Sequence, residues 1–230
     1  MMISIIVPCY NEINFIEKIV NEINLQNFPN KQLIVVDDGS FDGTREKLNK
    51  LKKENKIDNL IIHDKNQGKG ASIKTALKEV KGDIIVIQDA DLEYNPKDVS
   101  RLINPIIRGD ADVVYGSRFL GGSGDHRVIY FWNRLANALL TFLANLLVDM
   151  NLSDMETGYK AFKKSALENI TLQENRFGFE PEITIKLAKK KLRFFEVAIS
   201  YNGRTYAEGK KIGFKDGLRA LYCLLKYKIL

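Results

Sequence analysis

Three acidic side chains at alternating positions, Asp89, Asp91 and Glu93, follow the apolar run at residues 84–88. A strand that ends there can aim Asp89 and Asp91 into one crevice, with Glu93 close behind. Oxygen ligands at this spacing suit a hard divalent cation, Mg²⁺ or Mn²⁺, which then bridges to phosphates. Three carboxylates at one sheet edge repel each other without a cation. Asp89, Asp91 and Glu93 are therefore the expected metal ligands; the plainer alternative is acidic capping of a strand and turn. A second acidic pair, Asp37-Asp38, follows the apolar run at 33–37, and Gly39 permits a tight turn. A carboxylate at such a position can accept hydrogen bonds from a base or ribose, or simply cap a turn. Third, Asn66-Gln67-Gly68-Lys69-Gly70 precedes a helical pattern. Glycines let backbone amides approach an anion at a helix N-terminus, and Lys69 adds charge. The Gly-Lys-Ser/Thr ending of a Walker loop is missing.

These clusters need strands to carry them. Apolar, β-rich runs at 4–8, 33–37, 60–63, 84–88 and 113–115 alternate with helical patterns at 12–25, 42–53, 71–80 and 96–108. Strands separated by helices of this length predict an α/β, doubly wound, mainly parallel sheet flanked by helices. In such sheets ligands bind beyond the carboxyl ends of the strands, where Pro8–Glu12, Asp37–Ser40 and Asp89–Glu93 fall. The second half is less regular. Residues 128–148 read as apolar helix with a polar stripe, Asn133, Asn137, Thr141 and Asn145, recurring every fourth residue. The plain expectation is a buried helix pair over the sheet; the alternative is a helix lying on a membrane surface. Residues 194–201 read as a late strand and 214–227 as a basic, aromatic helix.

Composition narrows the classes. The 230 residues are 45% hydrophobic and 28% charged, which suits one globular domain. Two cysteines, Cys9 and Cys223, and two histidines, His63 and His126, exclude a disulfide framework and a Cys- or His-rich metal site. The formal charge of +6 is uneven: residues 186–230 hold 12 Lys/Arg against three Asp/Glu. An acidic body with a basic tail suits an anionic partner. No basic region precedes the first apolar run, so no secretory leader is expected.

The set Val7-Pro8-Cys9-Tyr10-Asn11-Glu12, Val36-Asp37-Asp38-Gly39-Ser40, Asn66-Gln67-Gly68-Lys69-Gly70 and Asp89-Ala90-Asp91 resembles family 2 glycosyltransferases. Within them it is similar to the branch of dolichol-phosphate mannose synthases and other polyprenyl-phosphate glycosyltransferases. The resemblance covers roughly residues 3–210. It implies a single GT-A domain, with residues 1–118 holding the nucleotide-sugar and 119–230 serving the acceptor. It implies that Pro8, Tyr10, Glu12 and Asp38 hold the nucleoside. Lys69 would lie near the diphosphate, and Asp89 and Asp91 would engage metal and sugar-nucleotide. Gly116-Ser117-Arg118 is similar to an acceptor-side Gly-Ser-Arg, and Asp154 opens a later stretch, Asp154-Met155-Glu156-Thr157-Gly158-Tyr159-Lys160. Arg204, Lys210 and Lys211 resemble a basic segment that meets phosphate.

The implied reaction moves a hexose from a UDP- or GDP-sugar to a polyprenyl phosphate, with inversion. Asp91, Asp154 and Arg118 are the catalytic candidates, and Arg118, Arg127, Arg134, Arg204, Lys210 and Lys211 the candidates for acceptor phosphate. An ionised phosphate hardly needs a general base; a hydroxyl acceptor would, and Asp154 is then the candidate. A saccharide or other hydroxyl acceptor is the alternative, and a silent nucleotide-sugar-binding scaffold a further one. The expected location is cytoplasmic and peripheral to the membrane, because no run suits a confident transmembrane span. A homodimer or a small membrane subunit is a possible partner; nucleic acid is not expected.

Overall fold

The computed structural model describes residues 1–28, 30–121, 127, 128, 130–205, 208 and 213–230, the side chain of Phe214 aside. The expected candidates Lys210 and Lys211 lie outside the described residues, as does His126.

The chain runs β1 (Ile3–Cys9), α1 (Ile16–Leu25), β2 (Lys31–Asp37), α2 (Thr44–Lys53), β3 (Asn59–Ile62), α3 (Lys69–Leu77), β4 (Ile84–Ile87), α4 (Val99–Ile107) and β5 (Val113–Ser117). It continues through α5 (Phe131–Val148), β6 (Lys160–Lys163), α6 (Phe179–Lys189), β7 (Phe194–Ala198) and α7 (Phe214–Ile229). The strands make one sheet in the order β3-β2-β1-β4-β6-β5-β7. All described pairings are parallel except those of β6, which runs antiparallel to β4 and β5.

Ile5, Ile6 and Val7 are all fully buried because helices cover both faces of the sheet. One core layer joins β1 to residues of α1, α2 and α4, including Ile19, Leu48 and Leu102. The other joins the opposite face to α3, α5, α6 and α7, including Ile73, Ala144, Ile183 and Leu224. Each buried aliphatic side chain contributes about 1.5–3 kcal/mol relative to exposure.

Several expectations change. The helix expected from residue 12 starts at Ile16, because Asn11 takes a left-handed φ of 50° and a turn follows, with Phe15 N–H on Glu12 O at 3.0 Å. The helix expected over 71–80 runs from Lys69 to Leu77. Strand β6 and helix α6 have no counterpart in the sequence reading. Lys160 and Lys163 bracket only two apolar residues in β6, and α6 is buried almost all round, so it has no amphipathic period.

The region 128–148 holds one helix, not a pair. Its polar stripe faces inward: Asn137 and Thr141 are buried. Trp132, Leu135, Leu139, Phe142 and Leu146 point outward, each between 48% and 74% exposed. Polar groups hold this helix to the body. Met155 N–H donates to Thr141 Oγ1, and Asn145 exchanges two hydrogen bonds with Leu152.

Candidate active site

The site forms at the carboxyl ends of β1, β2 and β4. Asp38 organises the first wall. Its carboxylate accepts from Gly68 N–H (2.7 Å), Asn66 Nδ2 (2.8 Å) and Gln67 N–H (3.0 Å), and pairs with His63 Nδ1 at 2.7 Å. These bonds fix the loop that enters α3. Gly68, at φ 103°, and Gly70 let that loop press against residues 174–176; a Cβ on Gly70 would sit 2.5 Å from Glu174 O. Nearby, Asn11 and Ser40–Phe41 are stitched by two hydrogen bonds, Asn11 N–H to Ser40 Oγ and Phe41 N–H to Asn11 Oδ1. This sets Tyr10 edge-on to Phe41 at 6.2 Å, with Phe41 open to solvent.

Lys69, the first residue of α3, reaches across to Asp89 at 2.8 Å and to Glu180 of α6 at 3.2 Å. Burial alone would lower the Lys69 pKa, but Asp89 and Glu180 outweigh it and hold the ammonium charged. Leu92 sits at φ 60°, a strained conformation for a branched side chain. That turn brings Glu93 N–H onto Asp91 Oδ1 at 3.1 Å. Arg204 then closes the cluster, 2.7 Å from Asp91, 3.2 Å from Glu12 and 3.3 Å from Glu93. Burial, then Asp89 and Glu93, push the Asp91 carboxyl up to about 7, against the pull of Arg204. Among the described residues, the carboxylates of Glu12, Asp89, Asp91 and Glu93 outnumber the two cations paired with them, Lys69 and Arg204.

The opposite wall is built by Arg118 and Asp154. Arg118 Nε and Nη2 each donate to Asp154 at 2.7 Å, and its backbone N–H adds a third bond at 3.1 Å. Asp154 is fully buried. The Arg118 guanidinium stacks on Tyr201 at 5.2 Å and Phe119 at 5.5 Å, and Arg134 lies over the same Phe119 ring at 4.9 Å.

Residues 4–171 match the model of glycosyl transferase family 2. The chain belongs to that family. It is 32% identical to UDP-N-acetylglucosamine–dolichyl-phosphate N-acetylglucosaminyltransferase of Methanococcus voltae, over 99% of this chain and 96% of that one. It is 30% identical to dolichol-phosphate mannosyltransferase of Pyrococcus furiosus, over 99% of this chain and 65% of the longer relative. Among solved structures, glucosyl-3-phosphoglycerate synthase from Mycobacterium tuberculosis, in complex with Mn²⁺, UDP and phosphoglyceric acid, superimposes with a TM-score of 0.74. It is 20% identical and covers 99% of this chain and 78% of its own. That likeness establishes the GT-A fold.

In this glycosyltransferase Lys69 pairs with Asp89, Arg204 joins Asp91 to Glu12, and Asp38 holds the loop ahead of Lys69, with Pro8 and Tyr10 at the end of β1. Asp38 works through the loop it holds, since both its oxygens are engaged. The residues fit a divalent cation on one observation: among the described residues, carboxylates outnumber cations around Asp91. Among the described residues no three acidic, His or Cys side chains form a ready metal cage. A two-carboxylate set, Asp89 and Asp91, completed by diphosphate oxygens, is how Mg²⁺ is commonly held. Both oxygens of Glu93 are engaged, by Tyr201 O–H at 2.7 Å and by Arg204, as are those of Asp89 by Lys69 and those of Asp91 by Glu93 N–H and Arg204. Arg204 itself sits among carboxylates, and Arg127 pairs with Glu208 at the surface. In the sequence, Glu156 and buried Lys160 stand only as part of the stretch that Asp154 opens, with no role of their own, and Glu180 is not singled out. A glutamate two residues after Gly178, at a helix start, was the available signal for Glu180.

Proposed function

We propose that this enzyme transfers a hexose from a UDP- or GDP-sugar to a polyprenyl phosphate at the cytoplasmic face of a membrane, with inversion and with Mg²⁺ or Mn²⁺. The observation that carries this reading is the inside-out helix α5. Helix α7, which packs against α5, likewise exposes Leu218, Leu225 and Ile229, each more than half. An apolar face of that extent marks a lipid or protein interface, and it begins beside Arg118 and Arg134. No helix among the described residues is long and apolar enough to cross a membrane. The relatives act, by their names, with dolichyl phosphates.

In this reading residues 1–118 hold the donor and 119–230 the acceptor. Tyr10 and Phe41 flank the base, and Lys69 neutralises the diphosphate. Asp89 and Asp91 would hold the metal, which supplies charge for the departing diphosphate. An acceptor phosphate oxygen attacks C1 of the sugar as the C1–O bond breaks, and the electron pair leaves on the β-phosphate oxygen. Arg118 and Arg134 orient the attacking phosphate. The phosphate is already ionised near neutral pH, so no side chain has to take a proton.

A second reading, a hydroxyl acceptor, is favoured by one observation. Glu180 Oε2 is buried with no partner, while its other oxygen pairs with Lys69; it is a better-placed base than Asp154, whose oxygens both bind Arg118. A donor panel separates the two. UDP- and GDP-sugars with Mn²⁺ or Mg²⁺ are offered with and without farnesyl phosphate, beside an Asp91→Ala control. Transfer to farnesyl phosphate, lost in the control, supports the first reading. Transfer only to hydroxyl acceptors, abolished by Glu180→Gln, replaces it with the second.

A further inference from the structure

Four buried side-chain nitrogen or oxygen atoms among the described residues have no hydrogen-bond partner: Asn133 Nδ2, Asn137 Nδ2, Glu156 Oε1 and Glu180 Oε2. The two amides lie one turn apart on α5. Thr141 and Asn145, further along the same stripe, show what a structural polar residue does on this face. Both are bonded to the segment at 152–155. Asn133 and Asn137 break that pattern.

The orientation of Asn137 follows from its neighbour. Arg118 Nη2 can only donate, and it meets Asn137 Oδ1 at 3.4 Å. The carboxamide oxygen must therefore face the guanidinium, which leaves the N–H₂ half without an acceptor. Asn137 is only 8% exposed, and burying an unpaired donor is unfavourable.

Among the described residues, two side chains bring positive charge beside Asn137. Two guanidiniums, Arg118 and Arg134, approach one Phe119 ring at 5.5 and 4.9 Å. Asp154 neutralises Arg118; among the described residues Arg134 has no carboxylate partner. The first turn of the 18-residue α5 adds partial positive charge, and no side chain caps it. Donors and positive charge in this arrangement select an anion with several oxygens. A phosphate monoester, carrying close to two negative charges, fits.

We infer that Asn137, assisted by Asn133, donates its free carboxamide N–H to the phosphate of the acceptor and completes the cradle begun by Arg118 and Arg134. This assignment rests on the phosphate-acceptor reading. It makes Asn137 a determinant of acceptor choice, because a neutral hydroxyl acceptor offers fewer oxygens to the same donors.

The test uses the full chain, farnesyl phosphate as acceptor, and the variants Asn137→Ala and Asn137→Asp. Asn137→Ala is expected to raise the acceptor KM about tenfold, the usual scale for one hydrogen bond to a charged group. Asn137→Asp, which adds a like charge, raises it further. Donor KM and nucleotide affinity by calorimetry stay within about twofold, and the Asn137→Ala melting temperature does not fall. Unchanged acceptor kinetics in Asn137→Ala overturn the assignment. So does a fall in melting temperature with equal losses for donor and acceptor, which marks a structural role. Donor hydrolysis without any transfer to farnesyl phosphate by the unsubstituted enzyme overturns the phosphate-acceptor reading and this assignment together. Transfer by the unsubstituted enzyme with an unaffected variant overturns this assignment alone.

Discussion

Gly158 shows how closely residues approach at the donor end. A Cβ there would collide with Asp89 Oδ2 and come within 2.9 Å of Lys69 Nζ. Gly158→Ala is expected to displace that ion pair and lower kcat/KM at least about tenfold, with an unchanged far-UV circular dichroism spectrum. Arg204 pairs with three carboxylates from two segments, Glu12 after β1 and Asp91 and Glu93 after β4. Arg204→Ala leaves them facing each other, and urea denaturation should show a loss of about 3 kcal/mol. Millimolar Mg²⁺ should restore part of that loss by replacing the missing cation; no recovery would argue against a metal at Asp89 and Asp91. Glu156 gives a pH signature. Burial, then Glu180, push its carboxyl from 4.5 up to about 8. The native state keeps this proton where the unfolded chain has released it, so its contribution to stability is full below about 4.5 and is lost as pH rises toward about 8. Lys160, lowered by burial from 10.5 to about 7, acts with the opposite sign above that pH. Glu156→Gln should therefore melt a few degrees higher than the unsubstituted enzyme near pH 7 and match it near pH 4.5.

Helix α5 divides its labour by face. Its inward polar groups anchor it to the segment before β6, and its outward stripe has no cover among the described residues. Replacing Leu139 and Phe142, 57% and 62% exposed, by Glu removes apolar area from that stripe without opening the core. The double variant should keep its melting temperature and lose at least about tenfold in binding to anionic vesicles, read by flotation. Equal flotation would turn attention from lipid to a protein partner for this face. Helix α3 shows a different dependence on tertiary structure. Its first turn holds Lys69, and its entry loop is shaped by Asp38 from β2 and by the backbone of 174–176, where Ala71 N–H donates to Asn175 O at 3.0 Å.

Across the whole molecule, Glu174 joins the C-terminal helix to the loop that enters α3. Its carboxylate accepts from Arg219 at 2.8 Å and Tyr227 O–H at 2.8 Å, and its main chain lies against Gly70. Glu174→Ala should cost about 2–4 kcal/mol in urea denaturation and also weaken nucleotide binding, because the loop loses its backing. Nucleotide affinity that survives the loss of stability would show that α7 and that loop are independent. The parallel half of the sheet and the three donor clusters were legible in sequence for a local reason. Buried strands are continuous apolar runs, and the polar residues that end each run must lie at one sheet edge, so 8–12, 37–40 and 89–93 had to be neighbours. The acceptor side was not legible in the same way. Strand β6 enters between β4 and β5 although Lys160 lies far beyond Ser117, the end of β5, and that insertion brings Gly158 onto Asp89. Arg118 and Asp154 are 36 residues apart, and Glu180 sits on a helix whose burial on every side erases its period. The stripe Asn133, Asn137, Thr141 and Asn145 has the same spacing whichever face of α5 is buried. Sequence periodicity determined that the helix has two unlike faces; which one meets the core was decided by the hydrogen bonds that the 152–155 segment makes with Thr141 and Asn145.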